Sequence, residues 1–83
     1  MKEFLECGKI VSTHGVRGEV KAEVWMDSPE EMTALKTLYL DGGKTLLTVK
    51  GARVHKNMVL LTLAGVETPE AGSALRQKVL FAR

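Results

Sequence analysis

The sequence predicts a small all-β fold, a six-stranded antiparallel β-barrel with two short helices, and three observations lead there. Short apolar or alternating runs recur along the chain, each bounded by Gly, Pro, Asn or Asp. The longest apolar runs are about four residues, as in Met58-Val59-Leu60-Leu61, which lies in a nearly continuous apolar strand from Met58 to Leu63. Most connections have hairpin length, and for 83 residues closure of the sheet also removes its exposed edges. An open α+β sheet is the alternative.

Phe4 to Thr13 reads as the first strand, with Ile10, Val11 and Thr13 favouring extended backbone. Its phase is ambiguous because apolar residues fall on both parities. A tight turn, His14-Gly15-Val16-Arg17-Gly18, leads into a cleaner strand from Gly18 to Met26. There Val20, Ala22, Val24 and Met26 alternate with Glu19, Lys21, Glu23 and Trp25, which puts one face inward. Ser28-Pro29-Glu30-Glu31 opens a short helix, with Ser28 as cap, Pro29 in the first turn and Glu31 completing an S-x-x-E box.

Thr37-Leu38-Tyr39-Leu40 is the third strand, and Asp41-Gly42-Gly43 turns it into a fourth, Lys44 to Val54, bent or bulged at Gly51. His55-Lys56-Asn57 turns again. Met58 to Leu63 is nearly continuous in apolar residues, as expected of a strand covered on both faces. Thr68-Pro69 begins a second helix reaching to about Arg76, and Lys78 to Ala82 is the last strand.

Composition narrows the function classes. A hydrophobic share of 45% suits a folded domain, and with only four aromatic residues the core must rest on aliphatic side chains. The net charge of +2 permits a polyanionic partner without requiring one. Cys7 is the only cysteine, so no intramolecular disulfide and no thiolate cage for zinc can form. A reducing, cytoplasmic setting is expected. The opening MKEFLEC lacks the apolar run of a signal peptide, and no segment is long enough to span a membrane as a helix. The strand-like KVLFA just before Arg83 leads to the expectation of one domain of a longer protein.

The candidate chemistry gathers at the first turn. Gly15-Val16-Arg17-Gly18 spells the G-x-x-G of a KH-domain clamp, but that module needs helices on both sides and these flanks read as strands. The two glycines serve the turn as scaffold, where positive φ is needed. His14 and Arg17 are not needed by a turn, and with Lys9 and Lys21 they would make a small cationic patch. Glu19 and Glu23 share the face of Lys21 and weaken its field. A second basic run holds Lys44, Lys50, Arg53, His55 and Lys56, with no acid from Lys44 through Val66. Its lysines serve equally well to guard a strand edge. Trp25, opposite in parity to Val20, is expected to pack under a helix, with an exposed anchor as the other option.

Catalytic patterns are not met. Gly8-Lys9 lacks the upstream glycine and the following Ser or Thr of a phosphate-binding loop, and Ser12 with His14 does not make a triad. Cys7, His14 and His55 lack the spacing of metal ligands.

The run GKIVSTHGVRGEVKAEVWMDSPEEM resembles the amino-terminal domain of the RimM family of ribosome maturation factors. The likeness continues through Arg53-Val54-His55-Lys56-Asn57-Met58-Val59-Leu60-Leu61, Leu63-Ala64-Gly65-Val66 and Ala74-Leu75-Arg76. Its signature falls on Gly8, Lys9, His14, Gly15, Arg17, Gly18, Glu19 and Lys21. Gly72-Ser73 and Gln77 depart from the family's pattern, and a glycine inside the second helix should cost about 1 kcal/mol relative to Ala.

The resemblance implies a six-stranded barrel like those of translation factors and flavin reductases, followed beyond Arg83 by a second, carboxy-terminal β-barrel. It implies a non-enzymatic assembly factor, without cofactor or metal. Such a factor binds the head of the maturing small ribosomal subunit and a ribosomal protein there, and supports folding and processing of 16S rRNA. The contact candidates are His14, Arg17, Lys9, Lys21, Arg53 and Lys56, in an expected monomer with no membrane partner. Two readings from other classes stand beside it. A general RNA-binding barrel would need aromatic stacking along a basic groove, and a flavin-reductase-like enzyme rests on fold analogy alone.

Overall fold

The structure is a computed structural model that describes residues 4–83. Six strands close into an antiparallel barrel in the order β1-β2-β5-β4-β3-β6. They are β1 (Leu5–His14), β2 (Glu19–Val24), β3 (Thr37–Leu40), β4 (Thr45–His55), β5 (Met58–Leu63) and β6 (Val79–Ala82). Two short helices, α1 (Pro29–Thr33) and α2 (Pro69–Ser73), pack against the wall. The expected closed barrel is therefore the observed fold, and β1 is shifted by one residue from its expected bounds.

The ambiguous phase of the first strand has a structural cause. The register of β1 against β2 slips between Ile10 and Ser12, and against β6 between Glu6 and Gly8. Each bulge inserts one residue and reverses the alternation, so Cys7 and Ile10 both reach the core despite opposite parity. A third slip, between Val49 and Gly51 of β4, is the expected bend at Gly51.

The core is aliphatic: Ile10, Val20, Ala22, Leu38, Val59, Leu61 and Leu80 line the interior with no exposed surface. Met32 of α1 is also fully buried, and its methyl lies where a side chain on Gly8 would stand. Alternation along β5 sends Val59, Leu61 and Leu63 inward. Leu60 points the other way, yet it is 1% exposed and lies outside the core cluster.

Both helices are shorter or differently capped than the sequence suggests. Ser28 makes no hydrogen bond to the backbone of α1; its hydroxyl donates instead to the Glu31 carboxylate at 3.5 Å. Thr68 does cap α2, accepting from the Ala71 N–H at 3.1 Å. That helix stops at Ser73 rather than near Arg76. Beyond it the bonding tightens, with Leu75 N–H donating to the Gly72 carbonyl and Arg76 N–H to that of Ser73. Gly72 is buried, and a Cβ there would stand 3.0 Å from Thr13 and 3.1 Å from Val20. The glycine that weakens the helix is what lets it press against the first hairpin.

Candidate functional site

The first hairpin is built by two glycines with different tasks. Gly15 has φ +76 and open space around it, so its conformation alone favours glycine. Gly18 has φ +84, and a Cβ would also fall 2.6 Å from the Thr68 nitrogen and 2.7 Å from the Val66 carbonyl. It seats the hairpin on the loop that leads into α2. Arg17 and Val16 stand exposed at the tip, Val16 at 82%.

The register of the wall explains what lies beside the hairpin. On the outer face, His14 opposes Glu19, Ser12 opposes Lys21, and Lys21 opposes Leu60. Leu60 in turn opposes Arg53, and Met58 opposes His55. On a flat sheet, His14 and His55 would sit at opposite ends of strands three places apart. Their ring centroids are nevertheless 5.7 Å apart. Strand twist makes the sheet a saddle, and along one diagonal the outer face is concave, so its far corners meet. Leu60 lies at the centre of the saddle, between the aliphatic stems of Lys21 and Arg53, which accounts for its burial.

This arrangement gathers His14, Lys21, Arg53 and Lys56 around His55. Its imidazole titrates below the usual histidine range, first through partial desolvation and then through the positive charge of Lys56, with smaller contributions from His14, Lys21 and Arg53. Glu19 is the acid within the group, and Arg53 Nη2 donates to its Oε1 at 3.4 Å. With both imidazoles neutral, Lys21, Arg53 and Lys56 outweigh Glu19 and the neighbouring Glu23 by one positive charge.

Of the sequence candidates, His14, Lys21, Arg53 and Lys56 thus come together, whereas Lys9 and Arg17 do not. Lys9 opposes Glu23 and Val79 in the middle of β1, and Arg17 stands exposed at the hairpin tip. His55 is the residue that sequence reasoning left out of the contact set. Its signal was there in the acid-free run from Lys44 to Val66, but only the saddle shows its neighbour. Trp25 corrects a second expectation: it is 44% exposed, and its indole N–H donates to Glu23 Oε2 at 2.7 Å. No helix covers it because α1 turns inward to bury Met32 instead.

Other chemistry has little footing. Cys7 lies in the core, 3% exposed, where burial pushes its thiol up to about 11. Among the described residues no three His, Cys, Asp or Glu side chains are arranged to hold a metal ion. Two other aromatics, Phe4 and Tyr39, meet edge to face at 4.8 Å, and Tyr39 opposes Phe81 across β3 and β6. That wall lies across the barrel from β2 and β5, which leaves Trp25, held by Glu23 of β2, as the exposed aromatic on the side of the saddle. No helix among the described residues is long and apolar enough to cross a membrane.

Comparison with known proteins bears on the family and the fold. The ribosome maturation factor RimM of Clostridium botulinum (strain Langeland) is 37% identical over 81 residues, covering 96% of this chain and 48% of that protein. The RimM of Frankia alni is 43% identical over 81 residues, with 96% and 45% covered. The chain spans about half the length of the curated relatives it matches. The crystal structure of a 16S ribosomal RNA processing protein RimM from Pseudomonas aeruginosa superposes with a TM-score of 0.86 at 24% identity, covering 98% of this chain and 51% of that one. The solution structure of the N-terminal domain of RimM from Thermus thermophilus gives 0.81 at 17% identity, with 98% and 89% covered. These two likenesses bear on the fold. The RimM N-terminal domain family itself matches residues 5–83, essentially the whole barrel, and the chain belongs to that family.

Proposed function

We propose that this barrel is a docking domain of a ribosome assembly factor, one that binds the head of the maturing small ribosomal subunit and supports folding and processing of its 16S rRNA. It acts by contact, without catalysis or cofactor, as a monomer in the cytoplasm, and a second β-barrel domain follows it in the full protein. The partners are the rRNA and a ribosomal protein of the head. The observation that carries the reading is the gathering, in a chain of the RimM family, of His14, Lys21, Arg53 and Lys56 on one saddle beside the projecting Arg17. Lys9, further down β1, extends the same face. Gly15 and Gly18 hold the hairpin that presents them. A barrel that binds RNA by stacking bases is less well supported, because Phe4, Tyr39 and Phe81 stand on the other wall and leave Trp25 alone on this one.

The test is binding of the full-length protein to immature small subunits, with Arg17→Ala compared to wild type. Arg17 is exposed and outside every regular element, so folding should be unchanged. A charge-assisted contact is worth about 1.5–3 kcal/mol, so the variant should bind at least about tenfold more weakly. Equal affinity for the two proteins would remove Arg17 from the interface. Failure of the wild type to bind would remove the whole reading.

A further inference from the structure

We propose that the saddle between His14 and His55 is a proton-gated site for the phosphodiester backbone of RNA, its imidazoles taking up protons as the phosphate arrives. The inference rests on the reading that this face meets the maturing subunit, and it specifies which chemistry is met and what regulates it.

The geometry comes first. Five groups from four segments converge: His14 of β1, Lys21 of β2, Arg53 and His55 of β4, and Lys56 of the following turn. The acids of the same face are already engaged, Glu19 with Arg53 and Glu23 with the Trp25 indole. A metal ion between the two imidazoles would face three fixed cations, with Glu19 already held by Arg53 and Glu23 by the Trp25 indole. An anion is the ligand this field accepts. No cavity opens among the described residues to seat a partner's side chain, and Trp25 on the side of the saddle is one ring, its indole held by Glu23, where base stacking along a strand uses several. What remains is contact with a continuous anionic backbone, which needs neither.

The gate follows from the closeness of the rings. In the free protein partial desolvation and then the charge of Lys56 favour the neutral form of His55, and the His14 ring stands 5.7 Å away over the same face. A phosphate over the saddle reverses the sign of the local field, so the imidazoles bind protons more readily in the complex. By linkage, binding takes up protons and tightens as pH falls through the histidine range. Protonation of both rings then adds two positive charges to the group.

The 83-residue chain is titrated with a labelled single-stranded RNA of mixed sequence, at fixed ionic strength with EDTA present. Affinity should rise about tenfold from about pH 7.5 to about pH 6, and the salt slope should steepen by about one contact. Calorimetry in two buffers of different ionisation heat should read net proton uptake. His14→Gln/His55→Gln should lose both the uptake and the pH dependence, and should bind at about pH 6 no more tightly than it does at about pH 7.5. Its fold is checked by amide spectra at both pH values. A wild-type affinity independent of pH, or one retained unchanged by the double variant at the lower pH, overturns the gate. Competition by polyglutamate as effective as by RNA overturns the phosphate assignment. If immature subunits still bind in either case, the docking reading stands and only this inference falls. If the gate is observed while subunits do not bind, the reverse holds.

Discussion

Gly15 and Gly18 occupy the same turn and carry similar φ values, yet they should respond differently to substitution. Gly15→Ala meets no atom within 4 Å, so only the left-handed backbone penalty applies, about 1–2 kcal/mol. Gly18→Ala adds a collision with the backbone of Val66 to Thr68, which cannot yield as a flexible side chain can. A loss of at least about 3 kcal/mol is expected, a large share of the stability of a domain this small. Denaturant midpoints of the two variants check this ordering, and similar losses would mean the 66–68 loop gives way freely. The distinction was invisible in the motif, where both glycines looked like generic turn residues. It arises because one of them is pressed by a segment about fifty residues away in sequence.

At the scale of elements, α2 and the segment after it combine two local compromises. Gly72 weakens the helix but allows contact with Thr13 and Val20, while Gln77 adopts φ +69 to turn the chain into β6. The Gln77 N–H donates to the Ile10 carbonyl at 2.7 Å, and that bond does not depend on its side chain. Gln77→Gly should therefore keep the bond and relieve left-handed strain, partly offset by a more flexible unfolded chain. A net gain of about 0.5–1 kcal/mol is expected, read as a rise in melting temperature. A fall would show that the Gln77 side chain makes a contribution the backbone does not reveal. The resemblance to the family located Gln77 as a departure, and the structure supplies the reason a glycine suits that place.

At the scale of the whole molecule, two perturbed groups among the described residues, Cys7 and His55, make stability depend on pH. The Cys7 thiol is raised from 9.0 to about 11, so the folded state resists forming the thiolate. Its contribution is fully present below pH 9.0 and is lost as pH rises toward the folded value, by up to about 2 kcal/mol. Melting curves from about pH 8 to about pH 11 should fall more steeply for wild type than for Cys7→Ala. Parallel curves would place the thiol in contact with water. His55 works in the opposite direction. With its folded value lowered below 6.5, its contribution is present above that pH and is lost as pH falls through the folded value.

The strand count, the two helix starts and the inward face of β2 were legible because they depend on neighbours in sequence: alternation, proline and capping threonine act within a few residues. The length of α2 and the placement of Trp25 were not, since both depend on what each element packs against. His14 and Arg17 stood out in the sequence because a turn has no use for them. That His14 would meet His55, and that Leu60 would be buried on the outer wall, was decided by strand order and by the twist of the closed sheet. Alternation assigns a side chain to a face, but only the curvature of that face determines which distant side chain it finds there.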